Sequence, residues 1–132
     1  MSNLLKPLKA GSLYLNNRIV MPPMATSKAE SDGRVSQEIL DYYKEKSEGG
    51  YISLIIIEHS FIRQDGKASE NQISISDDSM IENLRKLADI IHNNGSKTVM
   101  QINHAGSAAA MEITGSTPIG PSSVQNPRKG SI

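Results

Sequence analysis

Tyr51-Ile52-Ser53-Leu54-Ile55-Ile56-Ile57 is a nearly unbroken run of apolar and β-branched residues, followed at once by Glu58-His59-Ser60. A strand with this composition is covered on both faces, which places it inside a parallel sheet, and parallel strands must be joined by crossovers, usually helical. The flanking segments meet that demand. Upstream, Ser36 suits a helix N-cap, Ile39, Leu40, Tyr43 and Ser47 share one helical face, and Gly49-Gly50 ends the helix. Downstream, Asp77 or Asp78 caps a second helix carrying Ile81, Leu84, Leu87, Ala88 and Ile91 at helical spacing, up to Asn93-Asn94-Gly95. Strand signals at Arg18-Ile19-Val20-Met21 and Thr98-Val99-Met100 complete a βαβαβ order, with right-handed crossovers expected and long loops on the C-terminal side of the sheet.

Before the first buried strand, Leu8 to Val20 reads as two short strands around Gly11-Ser12, then a turn at Asn16-Asn17, residues that tolerate the positive φ of tight turns. The stretches 26–35 and 59–76 are polar and longer than the usual connection of about 2–6 residues, which marks them as functional or mobile. From Ser107 periodicity disappears, and Gly115, Pro118, Gly120, Pro121, Pro127 and Gly130 punctuate an irregular tail over about 107–132. With no composition shift and no repeat, residues 1–132 are expected to form one domain.

Charge narrows the partners. Lys plus Arg and Asp plus Glu number 14 each, so no net field recruits nucleic acid or an anionic membrane surface, and a small ligand or held cofactor fits better. The absence of cysteine excludes disulfides and thiolate metal sites in this stretch, and no other metal-ligand spacing occurs. No apolar run approaches the roughly 20 residues that span a bilayer, and the start Met1-Ser2-Asn3-Leu4-Leu5-Lys6-Pro7 lacks a secretion signal, so the expected location is the cytoplasm.

All three strand signals run from apolar into polar or backbone-rich ends: Pro22-Pro23-Met24-Ala25-Thr26, Glu58-His59-Ser60 and Gln101-Ile102-Asn103-His104-Ala105-Gly106. Parallel α/β sheets bind ligands beyond the C-terminal ends of their strands, so Ala25, His59 and Gln101 are expected on one shared face. A doubly wound nucleotide-binding domain is the competing fold, but the first strand is followed by two prolines where a Gly-x-Gly-x-x-Gly turn would stand.

The order Asn17-Arg18-Ile19-Val20-Met21-Pro22-Pro23-Met24, then Gly49-Gly50 before the apolar strand ending in Glu58, then Gln101-Ile102-Asn103-His104-Ala105-Gly106, resembles the start of the Old Yellow Enzyme family, the NADH:flavin oxidoreductases. The likeness covers essentially the whole chain and is greatest to the branch with enoate and dienoyl-CoA reductases. It implies an α/β fold made of the first three β/α strands of a TIM (β/α)8 barrel, preceded by a short β-hairpin. Such a barrel needs about 250 residues, so the resemblance implies an incomplete barrel, an N-terminal piece lacking the late FMN-phosphate loops and the family's substrate-binding His pair. The implied activity is transfer of hydride from NADH or NADPH through FMN to an activated alkene or enoyl substrate. A half-barrel that acts only by association through its open sheet edge is the alternative.

The resemblance assigns Pro22, Pro23, Met24 and Ala25 to the flavin, with the Ala25 backbone at the N5/O4 edge. Many relatives carry Cys or Thr at the Ala25 position, so a side-chain contact is lost here. Gln101 is implied to meet the flavin pyrimidine edge, since one amide both donates and accepts. His59 occupies a position where relatives often have a small residue. Catalytic residues are not assigned. His104 is either ligand-facing or a structural imidazole fixing the turn at Ala105-Gly106, and the second is favoured. Glu58, between apolar neighbours, is expected to be a buried, hydrogen-bonded carboxylate rather than a base. His92 complements the end of the second helix.

Overall fold

The computed structural model describes residues 3–124 and 126–127. Two antiparallel strands, β1 (Leu8–Ala10) and β2 (Leu13–Leu15), form a hairpin whose two-residue turn has Gly11 at positive φ. The chain then enters β3 (Val20–Met21), α1 (Gln37–Ser47), β4 (Leu54–Phe61), α2 (Ile81–Asn93) and β5 (Lys97–Asn103), with a final helical turn α3 (Met111–Thr114). Strands β3, β4 and β5 form a parallel sheet in that order, so the apolar run is its central strand. The sheet is open among the described residues, with no closed barrel.

The core lies between one face of this sheet and the two helices, so the expected cover on both faces of the central strand is found on one face only among the described residues. Met21, Ile55 and Ile57 from the strands meet Ile39 and Tyr43 of α1 and Leu87 and Ile91 of α2, with Met100 packed at its margin. Strand alternation turns Val20, Val99 and Gln101 to the opposite side, where Val20 is 44% and Val99 49% exposed. Ser36 caps α1 as expected, its hydroxyl accepting from Ile39 N at 3.2 Å, and Asp77 caps the turn leading into α2 by accepting from Ser79 N at 2.9 Å. Asn94 ties the helices together by donating from Nδ2 to Ser47 Oγ (2.9 Å).

Several expectations are corrected. The central strand begins at Leu54, leaving Tyr51 exposed, and it runs on through Glu58, His59 and Ser60 to Phe61. The third parallel strand likewise continues through Gln101 to Asn103. Strand pairing, a non-local property, overrides the change in polarity at both places. Asn16 and Asn17 do not take positive φ. Instead Asn17 works through its side chain: Nδ2 donates to Tyr51 O (3.1 Å) and Oδ1 accepts from Ile19 N (2.9 Å), which pins β3 beside β4. Ile81 is exposed because α2 starts with that position turned outward. The loops 26–35 and 62–76 pack against each other, with Ser74 N donating to Gly33 O (2.8 Å) and Ala29 N to Asn71 O (3.1 Å). Gly33 has φ +87° and a Cβ there would overlap Ser74, so only glycine fits this contact. In the irregular tail α3 is an unexpected helical turn, closed by Gly115 at φ +73°. Met1, Ser2, Gly130 and the rest of the tail beyond Pro127 lie outside the described residues.

Candidate functional site

The strand register decides which side chains share the C-terminal end of the sheet. Met21 pairs with Ile55, Ile57 with Met100, and Ser60 with Ile102. Between the last two pairs β4 spends three residues where β5 spends two, so Glu58 and His59 together stand opposite Gln101. This is a β-bulge, a device that re-aims side chains and is common beside active sites. Pro22 to Ala25 continue beyond β3 along β4, and Thr26 is tied to Glu58 through N to Oε2 (2.9 Å) and Oγ1 to Oε1 (2.8 Å). Ala25, His59 and Gln101 therefore occupy the same end of three neighbouring strands.

Glu58 is the anchor of this arrangement. It is 1% exposed, holds Thr26 with both carboxylate oxygens, and its backbone N–H donates to the Tyr43 hydroxyl at 2.8 Å. A buried carboxylate whose oxygens are so engaged is structural. Burial raises the Tyr43 phenol well above the ordinary tyrosine range, so it stays neutral as a hydrogen-bond partner.

The groups left facing outward form a donor and acceptor set. Pro22, Met24, Ala25 and Gln101 are exposed, while Pro23 and His59 are half-buried. Neither the Met24 and Ala25 N–H groups nor the Gln101 amide has a hydrogen-bond partner among the described residues. The prolines contribute no N–H and hold their φ near −65°, which stiffens the segment that presents Ala25. Fixed backbone donors, one two-way amide and a 54%-exposed Met24 suit a flat ring with polar edges and an apolar face. The set fits a flavin.

His104 has a different task. Its Nδ1 accepts from Gly106 N at 3.0 Å and its Nε2 faces Asp65 Oδ1 at 3.3 Å, while Ala105 N donates to Gly66 O at 2.9 Å. The backbone donor makes Nδ1 the acceptor, so Nε2 carries the proton given to Asp65. A Cβ on Gly66 would sit 2.7 Å from His104 Nε2. Gly66→Ala should therefore destabilise the chain by about 1–3 kcal/mol, as overpacking of a tight contact does. Thermal melting checks this, and an unchanged Tm would mean that the His104 ring has room to move.

Gln72 is a site residue that sequence reasoning missed. It is 1% exposed, and its Nε2 reaches His59 Nδ1 (3.1 Å), His59 O (3.2 Å) and Asn103 Oδ1 (3.3 Å). Only its place in a long polar loop marked it, and nothing local distinguishes it from Asn71. His92 stands at the other end of the sheet, beside Tyr14, Ser53 and Lys97 in a cavity of about 270 Å³. No cluster of residues suited to a metal ion and no helix long and apolar enough to cross a membrane occurs among the described residues.

Comparison with known proteins gives three kinds of likeness. The family model for the NADH:flavin oxidoreductase / NADH oxidase family matches residues 3–131. An NADH oxidase of Thermoanaerobacter brockii is 42% identical over 124 residues, which are 92% of this chain and 19% of that protein. An NADH:acrylate oxidoreductase of Vibrio harveyi is 45% identical over 101 residues, 76% of this chain and 10% of that protein. Among solved structures, the Old Yellow Enzyme homologue of Zymomonas mobilis superposes with a TM-score of 0.86 at 27% identity, covering 96% of this chain and 35% of that one. The chain thus spans a fifth or less of these curated relatives and about a third of the solved homologue.

Proposed function

Since the chain belongs to the NADH:flavin oxidoreductase / NADH oxidase family, we propose that its strand ends form one wall of an FMN site, in a protein that passes hydride from NADH or NADPH by way of the flavin to an electron-poor alkene. On this reading residues 1–132 are one unit, and β3, β4 and β5 are the first three strands of a (β/α)8 barrel whose mouth lies at the bulge. The observation that carries the reading is the convergence of Ala25, His59 and Gln101 at one end of three neighbouring strands. The relative named as an NADH:acrylate oxidoreductase supports the acceptor class, because acrylate is an alkene polarised by a carboxylate.

FMN, when bound, supplies the redox chemistry; this chain supplies placement. The Ala25 N–H would offer a donor to a ring edge, and the Thr26–Glu58 pair just beyond ties that segment to β4. Gln101 offers one donor and one acceptor to a second edge. Met24 presents an apolar side chain to the ring.

The test is Gln101→Leu in a complete protein, made by joining this chain to the remaining barrel of a close relative. Removing the amide leaves polar ring atoms against an apolar group, at about 1–3 kcal/mol. The FMN Kd should rise about ten- to a hundredfold, since 1.4 kcal/mol is tenfold. Asn103→Leu, which breaks the bond from Gln72, should lower Tm more than flavin affinity. Unchanged FMN affinity for Gln101→Leu would remove Gln101 from the site.

A further inference from the structure

We propose that Gln72 is a positioning residue that sets the ring tautomer of His59, so that His59 presents one N–H donor, on Nε2, to the mouth of the site. The meaning of that mouth as a flavin site rests on the reading above; the tautomer does not.

The orientation of the Gln72 amide is settled without reference to the imidazole. Its Oε1 lies 2.7 Å from Ala68 N, a backbone donor that only the amide oxygen satisfies. Its Nε2 lies 3.2 Å from the His59 carbonyl oxygen, which can only accept. The same Nε2 is 3.1 Å from His59 Nδ1 and 3.3 Å from Asn103 Oδ1, so its two protons are shared among three acceptors. Because the amide nitrogen offers no lone pair, a proton on His59 Nδ1 would meet no acceptor there, which puts the proton of the neutral ring on Nε2. His59 Nε2 has no partner among the described residues, and it is not among their sealed, unpaired polar atoms. The bulge sets Glu58 and His59 opposite Gln101, so the residue that carries this donor stands across the strand pair from the exposed Gln101. Because Gln72 is buried and bonds His59 twice, once at the ring and once at the backbone, it couples the shape of the bulge to the proton position on the ring.

The chain has three histidines, so their ring nitrogens can be followed individually by long-range ¹H–¹⁵N spectroscopy at mildly alkaline pH. His59 should be a pure Nε2–H tautomer. His104 should be the same, because Gly106 N–H occupies its Nδ1, whereas His92, with no ring partner among the described residues, should average. In Gln72→Leu the His59 pattern should become averaged while that of His104 is unchanged. A Gln72 that only supported the loop would lower Tm and leave the tautomer alone. If Gln72→Leu fails to fold, coupling between Gln72 Nε2 and His59 Nδ1 across their hydrogen bond in the unsubstituted chain decides the matter. Absence of that coupling, an averaged or Nδ1–H His59 in the parent, or a pure Nε2–H His59 in Gln72→Leu overturns the proposal. None of these readouts involves flavin, so a loss of the flavin reading and a loss of this one are told apart.

Discussion

Mixed with FMN and passed over a gel-filtration column, the 132-residue chain should emerge colourless and larger than a monomer. On the proposed reading its outward groups at the strand ends, Met24 and Ala25 N–H, Gln101 and His59, would meet one side of a flavin ring and leave the other faces of the ligand to water. Among the described residues the outer edges of β3 and β5 pair with no further strand, and Val20, Val99 and Ile102 are 44%, 49% and 68% exposed beside them. Unpaired edges with apolar side chains recruit further strands. Joining the chain to the remaining barrel should close both edges and strengthen flavin binding by about a thousandfold or more, equivalent to about 4 kcal/mol. Equilibrium titration of both forms measures the ratio. A monomeric chain retaining one tightly bound flavin would contradict both the edge argument and the view that these strand ends are one wall only.

Replacing Tyr43 by Ala should be the most damaging single change to stability. The ring is fully buried among Ile39, Ile55, Leu87 and their neighbours, and it packs edge-on against Tyr42 with centroids 5.1 Å apart. Large aromatic-to-alanine changes in cores cost about 3–5 kcal/mol, a large share of the roughly 5–15 kcal/mol that holds a domain folded. Tyr43→Phe separates the hydroxyl from the ring: it leaves the buried Glu58 N–H unpaired, at about 1–3 kcal/mol. Urea denaturation of the two variants should therefore give midpoints in the order parent, Phe, Ala, and a Phe variant as stable as the parent would mean that water replaces the hydroxyl.

The same residue predicts a pH effect. Burial raises the Tyr43 phenol in the folded chain above its unfolded value of about 10. A raised pKa means that the folded state holds the proton more tightly, so this stabilisation is complete below about pH 10 and is lost as pH climbs beyond it. Tyr43→Phe should remove that part of the alkaline loss.

Much of the architecture was legible because its causes are local. Ser36, Gly49 and Asp77 act within their own turns, and the spacing of Ile39, Tyr43, Leu87 and Ile91 shows the buried face of each helix without knowledge of what covers it. The apolar run at Ile55–Ile57 announced a central parallel strand, although only one of its faces is buried among the described residues: Ile55 and Ile57 pack on the helices while Ile56, on the other side, is half-buried. The turn-fixing role of His104 was also within reach, since its partner Gly106 is two residues away, and the burial of Glu58 was suggested by the apolar run before it, although its partners were not.

The site itself depended on contacts between distant segments. Only the register of β4 against β5 creates the bulge that doubles Glu58 and His59 against Gln101, and a register is a relation between two strands that neither strand contains. The anchoring of Thr26 by Glu58 spans 32 positions, and the bonds from Gln72 to His59 and Asn103 span 13 and 31. Local composition determined that this chain makes a βαβαβ sheet with polar strand ends. The tertiary structure alone decided which polar groups are used up in holding those ends together and which remain free, because hydrogen-bond capacity is consumed by whichever partner folding brings within reach.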